Sequence, residues 1–444
     1  MTSFDVTPAD HYQGLDDTFE FHGKKILCTA VTGALCHEVL GVNEDNIIKL
    51  PWDTPVLVLL RSLERGFFIS LTDANHCPGA AMVFFEVPKT IKNQQRLCQN
   101  AQELKHVCDD ESSVTAHCLS QRDFDFLRKK CGETETSLHS GDMRYHSDML
   151  ESWTLRHCRK HLDRLYLDST YARPRHTFVP QEEAIDNIDK TVEAYEKEGQ
   201  RNLYVVCTYL VGKERILLKL AQRLAERTAT PEGNRVWLSQ KKMRILEQLA
   251  LPPKEHSWFT TNKSDARIFV VKYVTPSLWC GANNCNFICR LHLHYSMHVA
   301  GKPFPYFQPD YERLRRVLET EYPRFNRIVV FVPTGWVNTS KHKTLSFGPV
   351  YPRKDEGFSG VEDIEENEFV ANSKELEHEN YASRSEKIDG YIHLEPYSEH
   401  SSFAELKEFI ASLKPITLIP TVFANQRDQD RIRKLFTHCV SFRP

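Results

Sequence analysis

Four short strings each set a metal-ligating side chain at the end of an expected strand. They are Asp10-His11-Tyr12, the run from Asn75 through His76 to Ala80, the run from His139 to Asp142, and the run from Ser398 through His400 to Ser402. With 20 histidines in 444 residues, any one such string taken alone is most simply a hydrogen-bonded structural histidine. Taken together they point to a metal site. Neutral imidazole and carboxylate suit Zn²⁺, and a carboxylate placed between two ions can bridge them. Two such ions clamp the attacking and leaving oxygens of an in-line phosphoryl displacement, so the chemistry indicated is hydrolysis of a phosphate ester.

Each string needs a firm element before it. Lys25 to Thr29, Val56 to Leu60, Gly66 to Leu71 and Ala81 to Glu86 read as short apolar or alternating strands. His76 falls in the turn between the last two. Leu165 to Asp168 is another strand, and its extended patterning ends at Ala172 to Pro174. Glu182 to Glu198 has the spacing of an amphipathic helix. Asn202 to Cys207 followed by Gly212 to Arg227 is a strand-turn-helix unit of the kind that buries a parallel strand. Ile328 to Val332 and Ile416 to Ile419 are expected core strands, with a helix at Phe403 to Leu413. Strands first and helical patterns later indicate a layered α/β protein. Residues 88–133 turn polar, carry Cys98, Cys108, Cys118 and Cys131 with one helix from Gln121 to Lys130, and read as an insertion. Residues 361–387 are rich in Glu, Asn and Ser and read as a surface loop.

Composition sets the bounds. Hydrophobic residues at 41% and charged residues at 26% are ordinary for globular chains, which excludes collagen, coiled coil and wholesale disorder. Apolar runs such as Pro55 to Leu60 fall far short of the ~20 residues of a membrane span, so no membrane partner is expected. At roughly 150 residues per domain, the length suggests about three domains or two larger ones. The net charge of −3 advertises no global positive field, although an acidic body can still hold a basic groove. The 13 cysteines follow no regular framework, and Met1 to Asp10 have neither the basic start nor the apolar stretch of a secretory signal. Reduced thiols in the cytosol or nucleus are expected.

Six segments occur in one order: Asp10 to Leu15, Asp73 to Ala80, Leu138 to Arg144, Leu165 to Tyr171, Val332 to Trp336 and Pro396 to Ser402. Together they resemble the β-CASP branch of the metallo-β-lactamase fold, and within it the DNA cross-link repair nucleases, the group that includes Artemis and Apollo. The resemblance implies an α/β protein: a metallo-β-lactamase αββα sandwich with an inserted β-CASP cap. The first part of the sandwich would span 1–172, the cap 173–330, and the second part 331–444. It implies zinc as cofactor, with Asp10, His11 and His400 at the second ion, His76 at the first, and Asp142 bridging both. Asp168 would orient a ligand or the attacking water. His292, with His294 and His298 close by, best matches the middle β-CASP histidine that steadies the substrate phosphate; a buried structural histidine is the plainer alternative. The catalytic set implied is therefore Asp10, Asp168, His292 and His400.

The sequence departs from the family near its start, where the family's preceding strand and acidic residue are also missing and Asp5 is adjacent but out of register. The family pattern there is His-x-His-x-Asp-His, and here Val6 and Pro8 stand where its first two histidines belong. Neither side chain can bind a metal. The first ion would keep only His76 and Asp142, while the second would keep Asp10, His11, Asp142 and His400. Three readings stay open: a truncated or misassembled start, a one-metal or weakened enzyme, and a protein that binds DNA without cutting. Retention of the other ligands favours the first, and the chain as written is expected to be impaired.

Hydroxyls and backbone N–H groups at a strand end can hold phosphate. The resemblance suggests that Ser169 and Thr170, with Ser401 and Ser402, form a pocket for a terminal 5′-phosphate; hydrogen-bonded turns explain these residues equally well. Lys213, opening a helix, could reach a phosphate. The Gly212-Lys213 pair lacks the spacing of a P-loop, so ATP is not an expected partner. The arginines Arg313, Arg315, Arg316, Arg324 and Arg327 could track a DNA backbone or form a solvated face. Cys280, Cys285 and Cys289 are more simply buried thiols than a zinc finger.

The expected function is a metal-dependent 5′→3′ DNA exonuclease acting in interstrand cross-link repair in the nucleus, on DNA with a 5′-phosphate end and in company with other repair proteins. The alternatives are an impaired DNA-binding scaffold of the same fold and a β-CASP RNA-processing nuclease.

Overall fold

Alternation of side chains along short apolar strands decides how the layers stack. The structure, a computed structural model, describes residues 6–8, 25–104, 113–227, 235–249, 251–272, 324–335, 343–347 and 389–440. The strands β1 (Val6–Pro8), β2 (Lys25–Cys28) and β3 (Ile47–Lys49) form a small parallel sheet in that order. Pro8 lies on an edge strand, where its missing N–H is tolerated. Between β2 and β3 runs α1 (Ala30–Leu40), started by Thr29 Oγ1 accepting from the Thr32 amide and stopped by Gly41 at φ 69°.

The strands β4 (Val56–Leu60), β5 (Arg65–Asp73), β6 (Ala81–Pro88), β7 (Val114–Cys118), β8 (Thr134–His139) and β9 (Arg164–Leu167) build a larger sheet. It is completed by β17 (Thr417–Pro420), in the order β17-β9-β8-β6-β5-β4-β7. One face carries α2 (Ile91–Ala101) and α3 (Gln121–Cys131), whose Leu97, Phe124 and Leu127 pack on Leu57, Leu59 and Phe68. Beside them α4 (Trp153–Cys158) sets Trp153 edge-on to Phe124. On the other face Val56, Val58, Ile69 and Leu71 pack on Leu27 and Leu50. The alternate residues of β2, Ile26 and Cys28, share a core with Leu35 and Cys36 of α1. The layers run helix, sheet, sheet, helix. Within segment 88–133, read from sequence as an insertion, the described residues include β7, which pairs antiparallel with β4, and α2 and α3, which cover the sheet.

A second seven-stranded sheet lies in the chain wholly between β9 and β17. Its elements are α5 (Gln181–Lys197), β10 (Asn202–Thr208), α6 (Glu214–Arg227), β11 (Arg235–Trp237), α7 (Gln240–Glu247), α8 (Pro253–His256), β12 (Phe259–Thr260), β13 (Ala266–Lys272), β14 (Arg327–Pro333), β15 (Lys343–Phe347) and β16 (Asp389–Glu395). The order is β12-β11-β13-β10-β14-β16-β15, parallel throughout except for β15. Every residue of β10 and β14 is buried, as continuous apolar strands of parallel sheets are. Ile188, Val192, Leu217 and Leu220 of α5 and α6 cover Tyr204, Val206 and Val329. After β16 the chain forms α9 (Phe403–Leu413), returns as β17 parallel to β9, and continues as α10 (Gln426–Leu435). The expected division between residues 330 and 331 falls within β14, and β14 and β16 both pair in the second sheet. Residues 361–387 lie outside the described residues.

Candidate metal centre

Three loops, each following a strand, bring His76, Asp142 and His400 together. One ligand atom from each lies within 4.8 Å of the others.

The first loop follows β5. Two residues hold its shape: Asn75 at φ 52°, whose amide donates to Asp73 Oδ1 at 2.7 Å, and Gly79 at φ 84°. The Gly79 carbonyl accepts from Thr29 Oγ1 at 2.9 Å and Thr32 Oγ1 at 2.8 Å, tying the loop to the start of α1. A Cβ on Gly79 would meet the Thr32 amide nitrogen at 2.9 Å, so glycine is required there twice over. His76 sits at the apex, and its Nδ1 is hydrogen-bonded to the Glu399 carbonyl at 2.9 Å. Its Nε2 lies 3.8 Å from Asp142 Oδ2.

Asp142 follows β8 in a turn that Gly141 enters at φ 55°. Its side chain is about one-third exposed, the most open of the three. His400 follows β16. Its amide donates to Ser398 Oγ at 3.0 Å, and its Nδ1 is hydrogen-bonded to Asp168 Oδ2 at 2.7 Å. The His76 and His400 rings are 4.8 Å apart. Both imidazoles thus have Nδ1 engaged by an acceptor, which sets the tautomer and leaves Nε2 as the donor to a metal.

Asp168, 3% exposed, also accepts from the Thr170 amide at 3.0 Å, Thr170 Oγ1 at 2.7 Å and the Met143 amide at 3.3 Å. Burial alone would raise its carboxyl, but the His400 and Thr170 donors more than offset this and hold it below the ordinary carboxylate value. Burial pushes His400 the other way, and the hydrogen bond and charge of Asp168, with Asp142, bring it out above the ordinary histidine value.

The remaining residues singled out from sequence are placed as follows. Ser169 Oγ donates to the Val422 carbonyl at 2.7 Å and accepts from its amide at 2.9 Å. Ser401 Oγ donates to the Met143 carbonyl and accepts from the Tyr145 amide, both at 2.9 Å. Ser402 caps α9 in a capping box with Glu405. These three hydroxyls are buried and bonded within the protein. Lys213 is 4% exposed, and its Nζ donates to the Pro333 carbonyl. Asp10, His11 and His292, together with Cys280, Cys285 and Cys289, lie outside the described residues, as do Arg313, Arg315 and Arg316. Arg324 donates to the backbone carbonyls of Lys263, Ser264 and Ala266, and Arg327 pairs with Glu198.

Sequence reasoning passed over two residues that matter here. Arg144, which ends the segment Leu138 to Arg144, donates to the Ser398 carbonyl at 2.9 Å, the Val179 carbonyl at 3.0 Å and Glu405 Oε1 at 3.1 Å, so one guanidinium holds the His400 loop. Glu399 is 8% exposed, and burial pushes its carboxyl up to about 7. The available signal was a charged residue within two positions of a ligand, Arg144 after Asp142 and Glu399 before His400.

The donor set fits one metal ion. Two imidazoles and one carboxylate with a fourth position left open is the usual make-up of a hydrolytic zinc site. A second ion would need further ligands; among the described residues no other group of three such side chains converges.

A family model described as DNA repair metallo-beta-lactamase matches residues 288–426. The human DNA cross-link repair 1A protein is 27% identical over 414 residues, which cover 93% of this chain and 27% of the human protein. DNA ligase 6 of Arabidopsis thaliana is 25% identical over 418 residues, covering 93% of this chain and 21% of that protein. The 5′ exonuclease Apollo of Gallus gallus is 22% identical over 415 residues, covering 93% and 56% respectively. The chain thus spans between about a fifth and a little over half of these relatives' lengths.

Proposed function

We propose, for a chain that is a relative of the DNA cross-link repair group of β-CASP metallo-β-lactamase-fold nucleases, that it is a metal-dependent DNA phosphodiesterase. In this reading it degrades DNA 5′→3′ from a 5′-phosphate end during interstrand cross-link repair in the nucleus. The helix-sheet-sheet-helix unit is the metallo-β-lactamase sandwich, and the unit between β9 and β17 is the β-CASP cap. The observation that carries the proposal is the convergence of His76, Asp142 and His400 with both Nδ1 atoms already engaged. His76 and His400 would offer Nε2 to the ion and Asp142 a carboxylate oxygen. Asp168 keeps the proton of His400 on Nδ1, and the more exposed Asp142 marks the side from which a phosphate approaches. A bound zinc supplies a Lewis acid for the phosphoryl oxygens and brings the pKa of water to ~7.

The test incubates the chain with 5′-phosphorylated and 5′-hydroxyl single-stranded DNA and with RNA, with and without EDTA. The reading expects EDTA-sensitive shortening of 5′-phosphorylated DNA that Asp142→Asn abolishes. Cleavage of RNA alone would move the chain to the RNA-processing branch. One specific observation supports a second reading, a weakened or DNA-binding protein of the same fold. Val6–Pro8 forms an ordinary strand paired with β2 just before Asp10, and it places two residues without donor atoms where the family has histidines. Retained DNA binding with no cleavage is the result that would favour it.

A further inference from the structure

The groups behind the candidate ligands hold an arrangement that packing alone does not explain. Glu399 precedes His400 and gives its backbone carbonyl to His76 Nδ1. Its carboxylate turns the other way, into the inserted unit, where Oε1 accepts from the Lys213 amide at 2.6 Å. The turn between β10 and α6 is shaped to receive it. Gly212 stands at φ +115°, and a Cβ there would lie 2.8 Å from Glu399 Oε2. Lys213 adopts φ 65°, a left-handed conformation uncommon for a residue with a side chain. Its Nζ donates to the Pro333 carbonyl at the end of β14 at 2.5 Å and lies over the Tyr209 and Tyr397 rings. Behind the turn, the Glu214 carboxylate accepts from the Gly212 amide at 2.8 Å and from Lys242 Nζ at 3.0 Å.

Buried charges and left-handed backbone each oppose folding, and well-packed apolar residues in place of a buried charge pair are often no less stable. The arrangement is explained if the position of Glu399 matters. We infer that the Gly212-Lys213 turn and the Glu399 carboxylate form a positioning clamp for the metal centre. It sets two ligands at once, His76 through the Glu399 carbonyl and His400 through the next peptide bond, and it couples the inserted unit to the site. Glu399 and Lys213 are positioning residues and touch neither metal nor substrate. The inference rests on reading His76, Asp142 and His400 as a metal site.

The test measures Zn²⁺ dissociation from the full chain by competition with a chromogenic chelator, alongside the Tm of the EDTA-treated protein. Glu399→Ala should weaken zinc roughly tenfold or more, the effect typical of residues that orient ligands. Glu399→Gln keeps the reach and an oxygen for the Lys213 amide, so it should bind within a few-fold of the parent. Glu399→Asp keeps the charge but loses the reach, and should bind more weakly than Glu399→Gln. Zinc binding by Glu399→Ala within twofold of the parent, with Asp142→Ala unable to bind, overturns the clamp and leaves the site standing. Undiminished zinc binding by Asp142→Ala overturns the site itself. Should Glu399→Ala fail to fold, the order of the Gln and Asp variants decides, and Asp tighter than Gln refutes the clamp.

Discussion

Replacing Asp168 by Asn changes one atom type at the point where the fold meets the candidate ligands. Asp168 is 3% exposed and accepts four hydrogen bonds: His400 Nδ1 and the Met143 amide on Oδ2, the Thr170 amide and hydroxyl on Oδ1. Asparagine has only one accepting oxygen. If that oxygen faces Thr170, the new NH2 group points at His400 Nδ1 and selects the tautomer in which Nε2 carries the proton, so the lone pair aimed at the ion is lost. If it faces His400, the NH2 opposes the Thr170 amide, and a buried donor without a partner costs about 1–3 kcal/mol, although the Thr170 hydroxyl can turn to accept. Either arrangement weakens the site. Residues that orient a ligand are typically worth 10–100-fold in metal affinity, about 1.4–2.7 kcal/mol. The expected outcome for Asp168→Asn is a zinc affinity lower by that factor with the fold retained. Chelator competition gives the affinity, and circular dichroism checks the fold. A variant that is folded and binds zinc as tightly as the parent would refute the claim that Asp168 controls the tautomer of His400.

Two further outcomes follow from the structure. Gly79→Ala forces φ 84° on alanine and drives a Cβ to 2.9 Å from both the Thr32 amide nitrogen and Val31 Cβ; stability should fall by about 1–3 kcal/mol in urea unfolding, with weaker zinc binding as the His76 loop shifts. Glu86 is fully buried among Arg128, Thr134 and His157, whose hydrogen bonds and charges more than offset the effect of burial and hold its carboxyl below the ordinary value. Its folded value lies below its unfolded one, so its contribution is complete above the ordinary glutamate pKa of about 4.3 and is lost as pH falls through the lower folded value. Urea unfolding of the parent should therefore lose more stability between neutral pH and acid than Glu86→Gln does, and parallel profiles would count against the assignment.

Much of the framework was legible because local patterns sufficed for it. Val56–Leu60, Asn202–Thr208 and Arg327–Pro333 are short apolar runs between polar turns, and they formed strands. Helix α1 was missed: Thr32, Gly33 and Val39 are weak helix formers, and what holds the helix is the core that Leu35 and Cys36 share with β2. Segment 88–133 looked like an insertion because it is polar. Only the pairing of β7 with β4 and the burial of Leu97, Phe124 and Leu127 show its place in the sheet.

The sequence by itself determined that His76, Asp142 and His400 could bind a metal and that these three would follow strands, because ligand chemistry belongs to side-chain type and strand ends follow from hydrophobic patterning. Their convergence was decided by tertiary structure. His76, Asp142 and His400 are separated by 66 and 258 positions, differences of 142 − 76 and 400 − 142, and no local pattern reports a distance across such intervals. Tertiary structure also decided the partners of Ser169, Ser401 and Lys213, which donate to the Val422, Met143 and Pro333 carbonyls, since a hydroxyl or an ammonium group bonds to whatever acceptor folding brings within reach.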